Sequence, residues 1–449
     1  MYFSPEVMAV AMFITLIAFI ALGHPLAITL AAVATIFGLI DYGFNFSKLF
    51  NLFINNSWGS FNSYTLVALP LFILMAQFLD KSKVSEKLFD VLYLDLGTVR
   101  GGLGMAVVLV CTIFAATTGI IGASVVAMGL LAAPALIDKG YQKEMTSGII
   151  CSAGTLGILI PPSIMLVIYG GLTGMQATSV GNLFAGAIIP GLLLSGLYII
   201  YVFIRCMINP ALGPTISKEE ASRYSLQQKI WLTLKYLVPP LVLILLVMGT
   251  ILFGIATPTE AAGMGAGGAF ILALANRTLT WKVMQDVATS TLRTTCMIMF
   301  LFLAGKLFAQ VFMSMGGGDV VSDVLVGGNL SPQMAIFLML LVVFLLGMFI
   351  DWAAILLITV PIFLPIASQL GYHPLWFALL QCVVLQSSFL TPPFGYALFY
   401  FIGVAPQGYT MMHIYRGIIP FVFLQILGVI ILAMFPDLIL WIPRLAFGT

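Results

Sequence analysis

The stretch Cys151–Gly170, CSAGTLGILIPPSIMLVIYG, is apolar enough to cross a bilayer, yet Pro161-Pro162 stands in its middle with Gly154, Thr155 and Gly157 just before it. Proline removes a backbone donor and clashes with the preceding turn, so two in a row break a helix. In hydrocarbon each freed backbone group is costly unless something satisfies it. A kink answered by a neighbouring helix or a water is one solution. The other is a ligand held by the freed groups.

An internal repeat points to the second solution. Pro134 and Pro365 are 231 residues apart, and so are Gly140-Tyr141 and Gly371-Tyr372, and Pro161-Pro162 and Pro392-Pro393; Pro190 and Pro420 are 230 apart. The second copy of the broken segment reads LQSSFLTPPFGYALFYFIG. Only 8% of the 449 residues are charged and 61% are hydrophobic, whereas a soluble domain carries about 25% charge. This is the composition of a polytopic membrane protein without a sizeable soluble domain. The net charge of +2 argues against nucleic acid as a partner. The N-terminus has no basic n-region or small-residue cleavage site, so no cleaved signal is expected. Cys111, Cys151, Cys206, Cys296 and Cys382 lie far apart, and with three histidines they suggest neither a disulfide framework nor a metal centre.

Hydropathy predicts membrane segments over 5–22, 25–41, 63–80, 102–118 with 121–137, 146–172, 184–207, 236–254, 258–276, 295–313, 333–349 with 352–368, 375–403 and 416–440. The aromatic segment between the second and third reads as an interfacial helix. GPTISKEEASRYSLQQKIW reads as a loop with a short surface helix starting at Ser217 with Glu219 and Glu220. The paired segments are too long for one span and read as re-entrant hairpins or as two spans each. With the N-terminus outside and even parity for both pairs, fifteen of the eighteen basic residues fall inside; Lys48 and Arg444 fall outside and Lys306 lies within a span. A single pass at either pair would destroy this asymmetry. The two repeats then run in opposite senses, the first hairpin entering from the cytoplasm and the second from the far side.

The expected organisation follows. Residues 1–62 form N-terminal scaffold helices and an interfacial segment. Residues 63–210 form the first inverted repeat, with hairpin 1 at about 102–137 and a broken helix at 146–172. A cytoplasmic loop covers 211–235 and scaffold helices 236–294. Residues 295–449 hold the second repeat, with hairpin 2 at about 333–368 and a broken helix at 375–403, and a C-terminal helix. Inverted repeats with broken helices are the architecture of secondary transporters, with sites near the bilayer midplane. Freed carbonyls suit a hard cation such as Na⁺, and half-helix N-termini suit an anion. Carbonyls near Gly154, Thr155 and Pro161 are therefore candidate cation ligands.

Asp351, in GMFIDWAAILLITVPIFLP, is an acid deep in the second hairpin tip, costly there by about 2.5–3.5 kcal/mol or more and a cation or proton site by default. Thr257, Pro258 and Glu260 look like a helix start, with an N-cap, a proline at N1 and an acid in the first turn. Lys306 meets an anionic substrate, snorkels, or pairs with an acid on another helix.

ATTGIIGASVVAMGLLAAPALIDKGY, AGTLGILIPPS, TPTEAA, GMFID and LTPPFG, in this order over nearly the whole chain, resemble the large membrane subunit of the tripartite ATP-independent periplasmic (TRAP) transporters. The resemblance implies an all-α inverted-repeat elevator fold with two re-entrant hairpins and two broken transmembrane helices. It implies a multi-pass protein of a bacterial or archaeal cytoplasmic membrane, with both termini periplasmic in the topology above. It implies sodium-coupled uptake of a small organic anion, and as partners a small four-helix membrane subunit, a periplasmic substrate-binding protein and membrane lipid. No cofactor is expected beyond Na⁺ as coupling ion. The family's ion sites carry over to Thr118, Gly119, Ser124, Gly154, Thr155 and Pro161, and to Gly347, Asp351, Thr391, Pro392 and Gly395. Candidate substrate contacts are Thr118, Ser163, Lys306, Ser387 and Ser388. Many members have a Ser-Gly-Ser first tip where this chain has Thr118-Gly119-Ile120, and bulky Trp352 follows Asp351.

Two other readings compete. A self-sufficient sodium–dicarboxylate symporter shares the inverted-hairpin plan and differs in needing no small subunit. An intramembrane enzyme needs a nucleophile–base pair or metal cluster, and no local set of that kind occurs.

Overall fold

The structure is a computed structural model that describes residues 4–119, 121–216, 225–328, 330–393 and 395–448, the side chains at 115–118 and 226 excepted. The surface-helix start at Ser217 and the side chain of Thr118 lie outside the described residues. Twenty α-helices and no strand occur among the residues described. Seven helices are long and apolar enough to cross a membrane.

The first five are α1 (Pro5–Ala21), α2 (Leu26–Asp41), α3 (Phe46–Phe61), α4 (Tyr64–Lys81) and α5 (Val84–Leu96). The side chain of Asn45 starts α3 by accepting from the Lys48 N–H at 3.1 Å. Phe46, Phe50, Trp58 and Phe61 on α3 are exposed, the composition of a helix lying along an interface. α5 lies between the predicted spans 63–80 and 102–118: 84–96 carries Glu86, Lys87, Asp90 and Asp95, and one apolar face, Val84, Leu88, Phe89 and Leu92, is buried.

Hairpin 1 is α6 (Gly102–Thr118) with α7 (Ile121–Asp138). The first broken helix is α8 (Lys143–Thr155) followed by α9 (Ile164–Thr173), and α10 (Val180–Ile208) completes the repeat. Next come α11 (Leu226–Leu252), α12 (Pro258–Ala275) and α13 (Trp281–Ser314). α11 begins inside the segment assigned to the cytoplasmic loop. α13 starts fourteen residues before the expected span, because Thr280 caps it and its first turns tolerate Lys282, Asp286 and Arg293 outside hydrocarbon. After the short α14 (Gly317–Ser322), hairpin 2 is α15 (Pro332–Gly347) with α16 (Trp352–Gln369). The second broken helix is α17 (Pro374–Leu390) and α18 (Tyr396–Ile402). The expected last span is divided at Pro436 into α19 (Met411–Met434) and the amphipathic α20 (Asp437–Phe447).

The 231-residue repeat holds in three dimensions. Both ends of α16 stand 231 residues after those of α7, and α17 and α19 begin 231 residues after α8 and α10. Both Pro-Pro bonds are cis.

Among the described residues, the side-chain hydrogen bonds between distant segments fall into two groups. In one, Asn56 and Ser60 of α3 meet Leu303 and Lys306 of α13, Asp41 of α2 meets Ser314, and Thr259 of α12 meets the Tyr64 carbonyl. In the other, Thr112 of α6 meets Ser195 of α10 at 2.6 Å, and Trp376 of α17 meets the Leu432 carbonyl of α19. Tyr169 of α9 donates to Gln381 of α17 at 3.1 Å, and Gln381 donates to Thr359 of α16 at 2.6 Å, all three side chains being buried. Between the groups lies an apolar cluster: Leu66, Leu69 and Ile73 of α4 and Ile298 and Phe302 of α13 against Ile164 and Ile168 of α9 and Leu357 of α16.

α8 and α19 cross at Gly148 and Gly417, where backbones approach so closely that a Cβ on Gly417 would lie 2.1 Å from the Glu144 carbonyl oxygen. Gly417→Val is expected to cost at least about 1–3 kcal/mol by overpacking, read as a lower unfolding temperature in detergent. The hairpin topology has its own check. Ser147 is buried, so Gln142 and Ser331, both exposed, are the useful positions. With the exposed native Cys296 replaced by serine, Gln142→Cys and Ser331→Cys should react with impermeant thiol reagents from opposite faces. Labelling from one face would overturn the inverted arrangement.

Candidate substrate and ion-binding site

At the first break, α8 ends at Thr155, a single 3-10 turn runs over Leu156–Ile158, and α9 begins after Ser163. Part of the freed backbone is satisfied locally. The Ser163 hydroxyl donates to the Ile158 carbonyl and accepts from the Leu166 N–H, and the Leu156 carbonyl takes the N–H groups of Leu159 and Ile160, each at 3.0 Å. Hairpin 1 ends beside this break. Gly119, at φ +61°, adopts a conformation that side-chain-bearing residues rarely take, and a Cβ there would crowd Ile164. Gly154 at the end of α8 packs directly on Val125 of α7. Thus α6 and α7 meet a broken helix at their tip, although α7 is long and apolar enough to cross a membrane.

Hairpin 2 repeats the arrangement. Gly347 at the end of α15 packs on Ser388 of α17, two residues before that helix ends. Thr391 closes α17, its hydroxyl donating to the Ser387 carbonyl at 2.7 Å, and Gly395 at φ +41° starts α18. Asp351 is the N-cap of α16, and its Oδ2 accepts from the Ala353 N–H at 3.1 Å. That bond uses one of several lone-pair sites on the carboxylate and leaves capacity for a cation.

A cavity of about 500 Å³ connects these parts. It is lined by Ile121 and Gly122 from tip 1, Asp351 and Trp352 from tip 2, Ile164 from the first break, and Phe389, Tyr396 and Tyr400 from the second. The start of α2 (Pro25–Ile28) and the middle of α13 (Thr294–Leu301) close the far side. Five helices begin at its wall: α2 at Leu26, α7 at Ile121, α9 at Ile164, α16 at Trp352 and α18 at Tyr396. A helix start carries N–H groups without intrahelical partners and a partial positive charge of about half an elementary charge; Ser163 takes the Leu166 N–H of α9 and Asp351 the Ala353 N–H of α16. Helix starts thus converge on a cavity whose described lining residues include the Asp351 carboxylate and no basic side chain.

The sequence-derived residues separate by place. Gly119, Ser124, Gly154, Thr155 and Pro161 gather, buried, where tip 1 meets the first break. Thr155 donates to the Ser152 carbonyl at 2.8 Å and accepts from Gln425 of α19, a partner that no sequence motif indicated. Gly347, Thr391, Pro392, Gly395 and Asp351 belong to tip 2 and the second break, where Thr391 is half-buried and Pro392 exposed. Of the candidate substrate contacts, Ser163 and Ser388 are buried in the breaks. Lys306 is not on the cavity; it donates to Ser60 on α3 at 3.4 Å. Ser387 lines a different, apolar cavity of about 740 Å³ bounded by α15, α17 and α19. Tyr396, Tyr400 and Thr294, missed in the sequence, come to the substrate-sized cavity from segments far apart. Glu260 is the helix-start residue it resembled: the Thr257 N–H donates to Glu260 Oε2 at 2.8 Å, and the Glu260 N–H donates to Thr257 Oγ1 at 3.3 Å.

Paired hairpin tips at paired breaks define an integral-membrane transporter. The fold is similar to the Alcanivorax borkumensis YdaH transporter, at a TM-score of 0.63 and 14% identity, over 94% of this chain and 98% of that one. Residues 13–438 match the family described as the DctM component of the tripartite ATP-independent periplasmic transporters. The chain is 31% identical over 464 residues to the C4-dicarboxylate TRAP transporter large permease protein DctM of Vibrio cholerae, covering 98% of this chain and 99% of that one. It is 34% identical over 386 residues to the protein of the same name from Pseudomonas aeruginosa, covering 85% and 86%. Other relatives are named as ectoine, isethionate and sialic acid TRAP permeases. The chain belongs to this family of TRAP large permeases; its relatives are named as permeases, not enzymes. Membership implies an inner-membrane protein of a three-part system with a small subunit and a substrate-binding protein.

The two acids are expected to behave differently. Asp351→Asn keeps the side-chain shape but removes the charge, and should lower the sodium affinity read from uptake by roughly tenfold or more, so that uptake needs higher sodium. Glu260→Gln should lower the unfolding temperature and leave the sodium curve in place. A shifted curve for Glu260→Gln alone would reverse the assignment.

Proposed function

We propose that this chain carries out sodium-coupled uptake of a small organic anion, received from a periplasmic substrate-binding protein, by an elevator movement. The observation that carries the reading is the convergence of helix starts from both repeats on one cavity beside the Asp351 carboxylate. Helix N-termini attract the anion. Na⁺ at Thr118, Gly119, Ser124, Gly154, Thr155 and Pro161, and at Gly347, Asp351, Thr391, Pro392 and Gly395, would complete the two tips. The carboxylate next to an anion site favours a coupling cation: an occupied Asp351 no longer repels the substrate, so ion and substrate bind together.

The grouping of polar contacts supports the movement. α6–α10 and α15–α20 form a transport body cross-linked by Thr112–Ser195, Tyr169–Gln381–Thr359 and Trp376–Leu432. α1–α5 and α11–α14 form the scaffold. The apolar surface of Leu66, Leu69, Ile298 and Phe302 against Ile164, Ile168 and Leu357 makes non-directional dispersion contacts, which suits bodies that slide. The cavity is lined by the middle of α13 from Thr294, one residue after Arg293, which the positive-inside partition assigns to the cytoplasm. On that basis both termini are periplasmic and the conformation is inward-facing.

The test is reconstitution in proteoliposomes. The chain alone should take up little free substrate. With its small subunit and binding protein, uptake should require an inward sodium gradient. Strong uptake by the isolated chain would favour the self-sufficient symporter, and uptake driven by ATP without a gradient would reject both readings.

A further inference from the structure

The walls of the cavity narrow the substrate class further. This step rests on the cavity being the substrate site. Five aromatic side chains reach it: Phe300, Trp352, Phe389, Tyr396 and Tyr400. Side-chain charge comes from Asp351 alone among the described lining residues, with no lysine, arginine or histidine. Polar side chains other than Thr294 lie on the transport side, at tip 2 and the second break. Across from them stand Leu26, Ile28, Met297, Ile298 and Leu301.

From this we infer that the cavity takes a monoanion with a planar or branched apolar body, an aromatic or bulky aliphatic monocarboxylate or monosulfonate, and not a short dicarboxylate. The charged head group belongs at the helix starts of α7 and α9, each ten residues or longer, and away from the α16 start, which the Asp351 carboxylate already caps. The body then lies between Trp352 and the two tyrosines, whose ring faces favour offset or edge-on contact with another planar group. A second carboxylate, one chain length away, would be carried toward Met297, Ile298 and Leu301. There it would lose water without gaining a donor, and such desolvation is strongly unfavourable. An aromatic wall with a carboxylate also suits an organic cation. The helix starts on the same cavity oppose that choice, because their partial charges repel it.

The test uses the purified full-length chain and its unfolding temperature at matched ionic strength in sodium or potassium chloride. Four probes are compared: benzoate, 4-methyl-2-oxopentanoate, succinate and choline. Both monoanions should raise the unfolding temperature in sodium, with succinate and choline giving little change. Trp352→Ala and Tyr400→Ala should each weaken the benzoate effect about tenfold or more in concentration dependence. Two variants guard against one simply failing to fold. Stabilisation by succinate as strong as by benzoate would overturn the monoanion class while leaving the cavity as the substrate site. Stabilisation by choline alone would overturn it in favour of a cation. A benzoate effect unaltered in both variants would remove the aromatic wall from recognition. No response to any probe would overturn the class, whereas the transport reading falls only if the three-part system shows no sodium-driven uptake; an equal benzoate response in potassium would keep the class and remove the sodium requirement.

Discussion

Backbone N–H and carbonyl groups released inside hydrocarbon must find partners, and the rest of this structure depends on how the two breaks meet that demand. A continuous helix would satisfy itself and leave nothing for a solute. By ending α8 and α17 within the membrane and restarting as α9 and α18, the chain creates carbonyl ends and N–H ends at depth. The hairpins then serve as lids on these ends. Their tips add two further helix starts, α7 and α16, at the same level. Backbone dipoles are thereby concentrated at a cavity with no basic side chain among its described lining residues, basic groups being costly to insert.

The two breaks meet the demand differently. The first is buried and tightened by its own Ser163, and Gln425 from the other repeat joins it through Thr155. The second is more open, its Thr391 half-buried and Pro392 exposed, and it contributes the ring-bearing residues of the cavity wall. The position 231 residues before Asp351 is Ile120, so only one repeat carries the carboxylate. Duplication supplied a frame of equal halves, and substitution at a few tip positions made the halves chemically distinct.

Spans, hairpins and breaks were legible in the sequence because each has a strong local cause: long apolar runs, paired prolines and a charge asymmetry. The capping box at Thr257 and Glu260 was legible for the same reason. Elements with weaker local causes were missed. α5 and the first turns of α13 carry charges that break the apolar pattern, and only one buried face reveals them. The cavity was legible only in part. Asp351 stands out alone, but Tyr396 and Tyr400 look like ordinary interfacial aromatics until α18 is seen against tip 1, where Gly122 packs on the Tyr400 ring. Lys306 attracted a substrate role through its charge, yet its helical phase turns it toward Ser60 on α3. Phase toward a neighbour is a tertiary fact, and one sequence does not carry it.

The equal spacing of α7, α8 and α10 with α16, α17 and α19 bears on how such a chain can change. Between tip and broken helix, an inserted or deleted residue would rotate the following helix by about 100° and shift it by about 1.5 Å, moving a glycine contact such as Gly154–Val125 off its partner. The linker between repeats faces no such constraint. Divergence in this architecture should therefore proceed by substitution within each half and by length variation between halves, so that the distance from hairpin to break acts as a fixed ruler while the solute it measures out changes.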